Sequence, residues 1–150
     1  MSSLIEFLKK QKEKGRNAGV TRERKVLEWQ QILNRLFSQI QRWLTEAQMQ
    51  GLITVTKGKT KITEDTLGTY TTPVLTLATA TNSLRINPVG RTIIGANGRV
   101  DIESKVGTYM LLYLEPEGVW VHGAKGAKEP AQFPKLTEEL FSELLTKSLS

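Results

Sequence analysis

Between Thr21 and Gln50 the chain contains neither glycine nor proline, and its apolar residues recur every three or four positions. Val26, Trp29, Leu33, Leu36, Ile40, Trp43 and Ala47 keep three heptads in phase, the period of a helix with one buried seam. Thr21 is a natural N-cap and Gly51 stands where a left-handed terminator belongs, so the pattern predicts one helix of about 45 Å. Trp29 and Trp43 are fourteen residues apart, close to four turns, and so are expected on one buried face. Ile32, Phe37 and Leu44 widen the seam, so it asks for a broad partner. That partner is either the chain's own sheet and first helix, or another protein or a second copy. In the second case Trp29, Leu33, Leu36, Ile40 and Trp43 form the contact.

An earlier helix is expected upstream. Ser3 and Glu6 have the spacing of a capping box. Leu4, Ile5, Phe7 and Leu8 make its apolar end, and Gly15 is placed to terminate it. The stretch "GRNAG", Gly15 to Gly19, then reads as a loop.

After Gly51 the hydrophobic period changes from helical to two. "LITVT" and "KTKIT" flank Lys57 and Gly58 as an expected hairpin, and "VLTLATAT" and "LRIN" alternate around Asn82 and Ser83. "TII" and "RVDI" flank "GANG", and "TYMLLYL" and "VWVH" flank the turn "EPEG". Pro73 is expected just before a strand and Pro88 just after one. About seven strands with no helix between them imply an antiparallel meander. "GAKGAKEPAQFPK" reads as a surface loop, after which Thr137 caps a last amphipathic helix with Glu138 and Glu139 in its first turn. Leu140, Phe141, Leu144, Leu145 and Leu149 are its buried stripe. The expected class is α+β: an N-terminal helix and a long second helix packed on a meander sheet, closed by a C-terminal helix. With 150 residues the chain is expected to form one domain. Residues 1–50 are its helical region with a basic arm, 51–123 its sheet, and 124–150 its loop and final helix.

Charge is distributed unevenly over that plan. Lys9, Lys10, Lys12, Lys14, Arg16, Arg22, Arg24 and Lys25 face only Glu13 and Glu23 within residues 9–25, a surplus equal to the net charge of +6 for the whole chain. Split by the expected "GRNAG" loop, these cations would converge on one surface and draw a polyanion such as nucleic acid. Lys57, Lys59 and Lys61 extend the patch.

Other chemistry is constrained by what is present. There is no cysteine, which excludes disulfides and thiolate ligands and agrees with a reducing, cytoplasmic location. Neither a secretory signal nor an apolar run of roughly 18 residues is present, so no membrane partner is expected. With one histidine a transition-metal site is not expected, nor is any cofactor. His122 ends a strand on the same face as Trp120, with no nucleophile or carboxylate patterned beside it.

Three short patterns bear on function. Asp101, Glu103 and Lys105 alternate on one strand face and resemble the D…ExK ligands of metal-dependent nucleases. Those ligand sets usually take the Asp from an earlier strand, and Arg99 shares the face here. The row is therefore expected to be solvated and mutually paired, not catalytic. "IIGANG" resembles the GxxG loop of KH-type RNA-binding domains at Ile94, Gly95 and Gly98. Its flanks alternate as strands, and Asn97-Gly98 reads as a hairpin turn. "NPVGRTIIGANG" lacks the Gly-Lys-Ser/Thr ending of a phosphate-binding P-loop, and Gly90 and Gly95 are read as bend or bulge residues. The leading expectation is a non-enzymatic interaction or assembly protein that uses the long helix and its basic neighbour. Nucleic-acid binding through the basic segment comes second, and a nuclease-like enzyme built on Asp101 and Glu103 third.

Overall fold

The computed structural model describes residues 2–93, 95–123 and 132–150. Helix α1 runs from Ser2 to Trp43 without interruption. The expected pair of helices is therefore one. Gly15 and Gly19 do not adopt the positive φ of a terminator. Thr21 is not an N-cap: its hydroxyl donates 2.9 Å back to the carbonyl of Asn17 within the helix. Each interior glycine costs about 1 kcal/mol relative to alanine. Ending the helix and nucleating another would instead leave several N–H and C=O groups unpaired and fix a new first turn. Continuation through "GRNAG" is the smaller penalty.

At Leu44 the helix is interrupted: Leu44 N–H still reaches the Ile40 carbonyl at 3.1 Å, and the Gln41 carbonyl accepts from the Thr45 hydroxyl at 3.1 Å. The short α2, Thr45–Met49, follows, and Gly51 ends it with φ of 71°. Leu52 N–H bonds to the Ala47 carbonyl at 3.0 Å, as in a Schellman closure.

Six strands make an antiparallel meander in chain order: β1 (Thr54–Glu64), β2 (Gly68–Ala78), β3 (Ser83–Gly90), β4 (Arg99–Ser104), β5 (Gly107–Leu114) and β6 (Val119–His122). The sheet departs from the expected strands in two places. "LITVT" and "KTKIT" are not the arms of a hairpin, because Lys57 and Gly58 lie inside the single strand β1. The turn comes later, at residues 65–67, and is completed by Gly68 with φ of 71°. "TII" is not a strand either: Ile93 makes only a bridge to Ala96, and Ile94 lies outside the described residues. Pro73 is inside β2, opposite Lys59, and Pro88 is inside β3, where the register shifts before Gly90. Both prolines thus lie within strands. Pro88 marks the bulge.

The β5–β6 turn follows the sequence reading, with Gly118 at φ of 70° and its N–H 2.9 Å from the Leu114 carbonyl. Helix α3, Glu138–Ser148, is capped by Thr137, whose hydroxyl accepts from Leu140 N–H at 3.1 Å. Beside β6 run residues 134–136, bonded to the backbone of Trp120 and His122.

One hydrophobic cluster joins these elements. Trp29, Leu33, Phe37 and Ile40 of α1 are fully buried against Leu75, Ile86, Val100, Ile102 and Leu111 of the sheet and Phe141 and Leu144 of α3. Each such side chain contributes roughly 1.5–3 kcal/mol through removal from water. Burial begins only at Val26: residues 3–18 and 20–25 are exposed and Gly19 is half-buried. Residues 3–18 therefore form an arm of about 24 Å that the rest of the described chain leaves uncovered, and from Gly19 the helix passes the β1–β2 turn, sharing a cleft with Leu67, Thr69 and Tyr70.

Candidate functional site

The heptad stripe is consumed by the fold. Trp29, Leu33 and Ile40 are 0% exposed and Leu36 5%. Trp43 is half-buried, its ring 5.5 Å from that of Phe141. The broad partner that the stripe required is the chain's own sheet together with α3, and no exposed face remains at the four inner positions.

The basic segment has the opposite character. Lys9, Lys10, Lys12, Lys14, Arg16, Arg22, Arg24 and Lys25 are all exposed, and neither ion pair among the described residues involves them. They do not converge on one surface as expected, because the loop that would fold them together is helical. They are strung along about 24 Å of rod. At about 100° per residue, Lys9, Lys12 and Arg16 fall on one side and Lys10, Lys14 and Lys25 on the opposite side. The free end carries Leu4, Ile5, Phe7 and Leu8, each about half exposed.

The segment "NPVGRTIIGANG" has a structural explanation that sequence reasoning missed. Glu64, at the end of β1, places its carboxylate against the backbone after Gly90. It accepts from Arg91 N–H at 3.0 Å and Thr92 N–H at 2.8 Å, and from the Tyr70 hydroxyl through a short bond. A Cβ at Gly90 would stand 2.9 Å from the Glu64 oxygen. The amides of an anion cradle are present, and the anion is internal. Burial, reinforced by the Glu64 carboxylate, raises the Tyr70 pKa and keeps the phenol protonated.

Arg91 then ties the segment to the core. Its guanidinium donates to Glu115 at 2.5 Å and to the Asn97 carbonyl, and lies 5.9 Å and 6.0 Å from the ring centroids of Trp29 and Tyr113. Trp120 completes the aromatic group, 6.0 Å from Trp29 and 5.1 Å from Tyr113. Gly98 is required by the close approach of Trp29: a Cβ there would fall 2.5 Å from the indole. Asn97 and Gly98 are not a two-residue hairpin turn, since their backbone bonds to Tyr113 extend the β4–β5 ladder. Gly95 has φ of 84°, the bend expected of it. No local pattern links Glu64 to a loop some 27 residues later in the chain; the glycine spacing was the one available signal.

The acidic strand is only partly as expected. Arg99 grips Asp101 through two bonds, at 2.9 Å and 3.1 Å, and this pairing raises the Arg99 pKa. Asp101 is 7% exposed, so it is buried and not solvated. Glu103 accepts from Asn87 at 3.3 Å, and Lys105 is exposed outside both ion pairs. Among the described residues, no three His, Cys, Asp or Glu side chains gather where a metal ion could be held. His122 packs edge-on against Tyr109 at 5.8 Å. Burial first, and the nearby Lys147 second, lower its pKa. No helix among the described residues is long and apolar enough to cross a membrane. No protein-family model, curated protein or solved structure matches the chain.

Proposed function

We propose that this is a non-enzymatic interaction protein that engages a nucleic acid with the exposed cations of the first half of α1. The observation that carries the reading is the placement of exposed cations on opposite sides of one rod. A flat partner meets one side of a helix. A groove walled by phosphates meets both, and the major groove admits an α-helix. Like charge opposes two such arms lying side by side, which disfavours self-association along this segment. The folded body is the platform that holds the arm.

The test is a salt titration with random-sequence duplex DNA. If about five phosphates are neutralised, the logarithm of affinity falls against the logarithm of salt with a slope near −4 to −5, about 0.9 per phosphate. Replacing Lys9, Lys10, Lys12 and Lys14 with Gln flattens the slope and leaves the fold intact. Absence of binding by the parent at about 50 mM salt, or a slope unchanged in the variant, excludes the proposal.

A further inference from the structure

A second cationic feature lies away from the arm, where α1 faces the β1–β2 hairpin across a cavity of about 760 Å³. Its polar lining includes Gln30 and Asn34 from the helix, Lys57 and Lys59 from β1, and Thr71 from β2, with no acidic residue. Each of these side chains carries an N–H or O–H donor. Such a set is complementary to an anion with several acceptor oxygens.

Lysines on an edge strand ordinarily point outward and discourage pairing with another sheet. Lys57 does not. Its ammonium turns back across the cavity and donates to Asn34 Oδ1 at 2.9 Å, which uses one of its three donors and leaves two. Lys59 follows two residues later on the same strand face, lines the same cavity and belongs to neither ion pair. Gln30 is held in place by a 2.6 Å bond to the Thr71 carbonyl.

We infer that this cavity is a binding site for the phosphoryl group of a small phosphorylated molecule, with Lys57 and Lys59 as its charged contacts. The volume lies within the range of small-ligand sites. A phosphoryl group supplies more acceptor oxygens than a single carboxylate, and two lysines on one strand face answer its charge.

Calorimetry on the full chain in low-salt chloride buffer tests this, with pyrophosphate, adenosine monophosphate, adenosine and succinate as probes. Pyrophosphate and adenosine monophosphate are expected to bind at one site per chain, and adenosine and succinate not to. The double variant Lys57→Gln, Lys59→Gln loses about tenfold or more in affinity, because charge-assisted bonds are removed. The variant with Lys9, Lys10, Lys12 and Lys14 changed to Gln binds both probes as the parent does, which separates this site from the arm. The inference is overturned if neither phosphate probe binds, if succinate binds as well as pyrophosphate, or if the double variant is unaffected. It is overturned equally if only an oligonucleotide binds and the arm variant abolishes that binding. Circular dichroism of both variants confirms that the fold is unchanged.

Discussion

From Val26 to Trp43, α1 is held by the sheet and α3 packed on its stripe. Residues 3–18 of the same helix are uncovered and rely on the backbone ladder and residue propensities. Counting back from Val26 in steps of three and four, the seam reaches Arg22, Gly19, Gly15, Lys12, Leu8 and Ile5. The positions that hold Trp and Leu in the covered half hold glycine and cations in the middle of the arm. The repeat therefore persists in phase while its chemistry changes. Helical period predicts a helix, but the size of the residues on the seam predicts whether anything covers it.

The strongest way to break this contrast is to remove bulk from each half. Trp29→Ala should destabilise by about 3–5 kcal/mol, and Trp43→Ala, half-buried, by roughly half as much. Leu8→Ala in the arm should change global stability by less than about 0.5 kcal/mol. Urea unfolding measures all three, and a loss at Leu8 matching that at Trp29 would mean that the arm is covered after all. Next in size is Glu64→Gln, which weakens the acceptor for two backbone amides and Tyr70. A loss of about 1.5–3 kcal/mol is expected, with faster hydrogen exchange at Arg91 and Thr92. An unchanged exchange rate there would show that the loop is held by Arg91 alone.

A smaller effect sharpens the comparison from the arm's side. Gly15 and Gly19 have open space where a Cβ would lie and no positive φ. Gly15→Ala with Gly19→Ala should thus strengthen the local helix by about 1 kcal/mol per site. Slower exchange of arm amides, with an unaltered urea midpoint, is the expected result; a shifted midpoint would couple the arm to the core. The smallest effect is at His122. Its pKa is lowered on folding from an ordinary value of 6.5, so below that value the unfolded chain takes up the proton first. Stability from this group is complete above about pH 6.5 and declines as pH falls towards the folded pKa. His122→Asn should remove that part of the slope in pH-dependent denaturation, and a parent with no slope in this window would contradict the assignment.

Features set by neighbours in sequence were legible. The Thr137 cap, the "EPEG" turn and Gly51 each combine a residue type with its position relative to an apolar run, and all three form as read. The splitting of α1 was misread because a glycine has two uses: it ends a helix when its φ turns positive, and it is tolerated when flanking turns outweigh its entropy cost. Lys57-Gly58 was mistaken for a turn for a related reason, while "EDTLG" further on carried the better signal in Asp65 and Gly68. The Glu64 cradle was not legible at all. A carboxylate, a bulge and an aromatic cluster from α1, β1, β5 and β6 meet only after the sheet has formed, and spacing along the chain carries no trace of that meeting.

The absence of any joint between the arm and the buried half makes α1 a lever that first meets the body beside the β1–β2 turn, from Gly19 onward. A tilt of about 5° there moves the far end by about 2 Å over a 24 Å arm. Torque applied near Leu4 passes along the helix to Trp29, where the indole is wedged against the backbone of Gly98, the guanidinium of Arg91 and the ring of Trp120. A displacement of the far end is thus carried by one unbroken helix into the packing of an aromatic cluster.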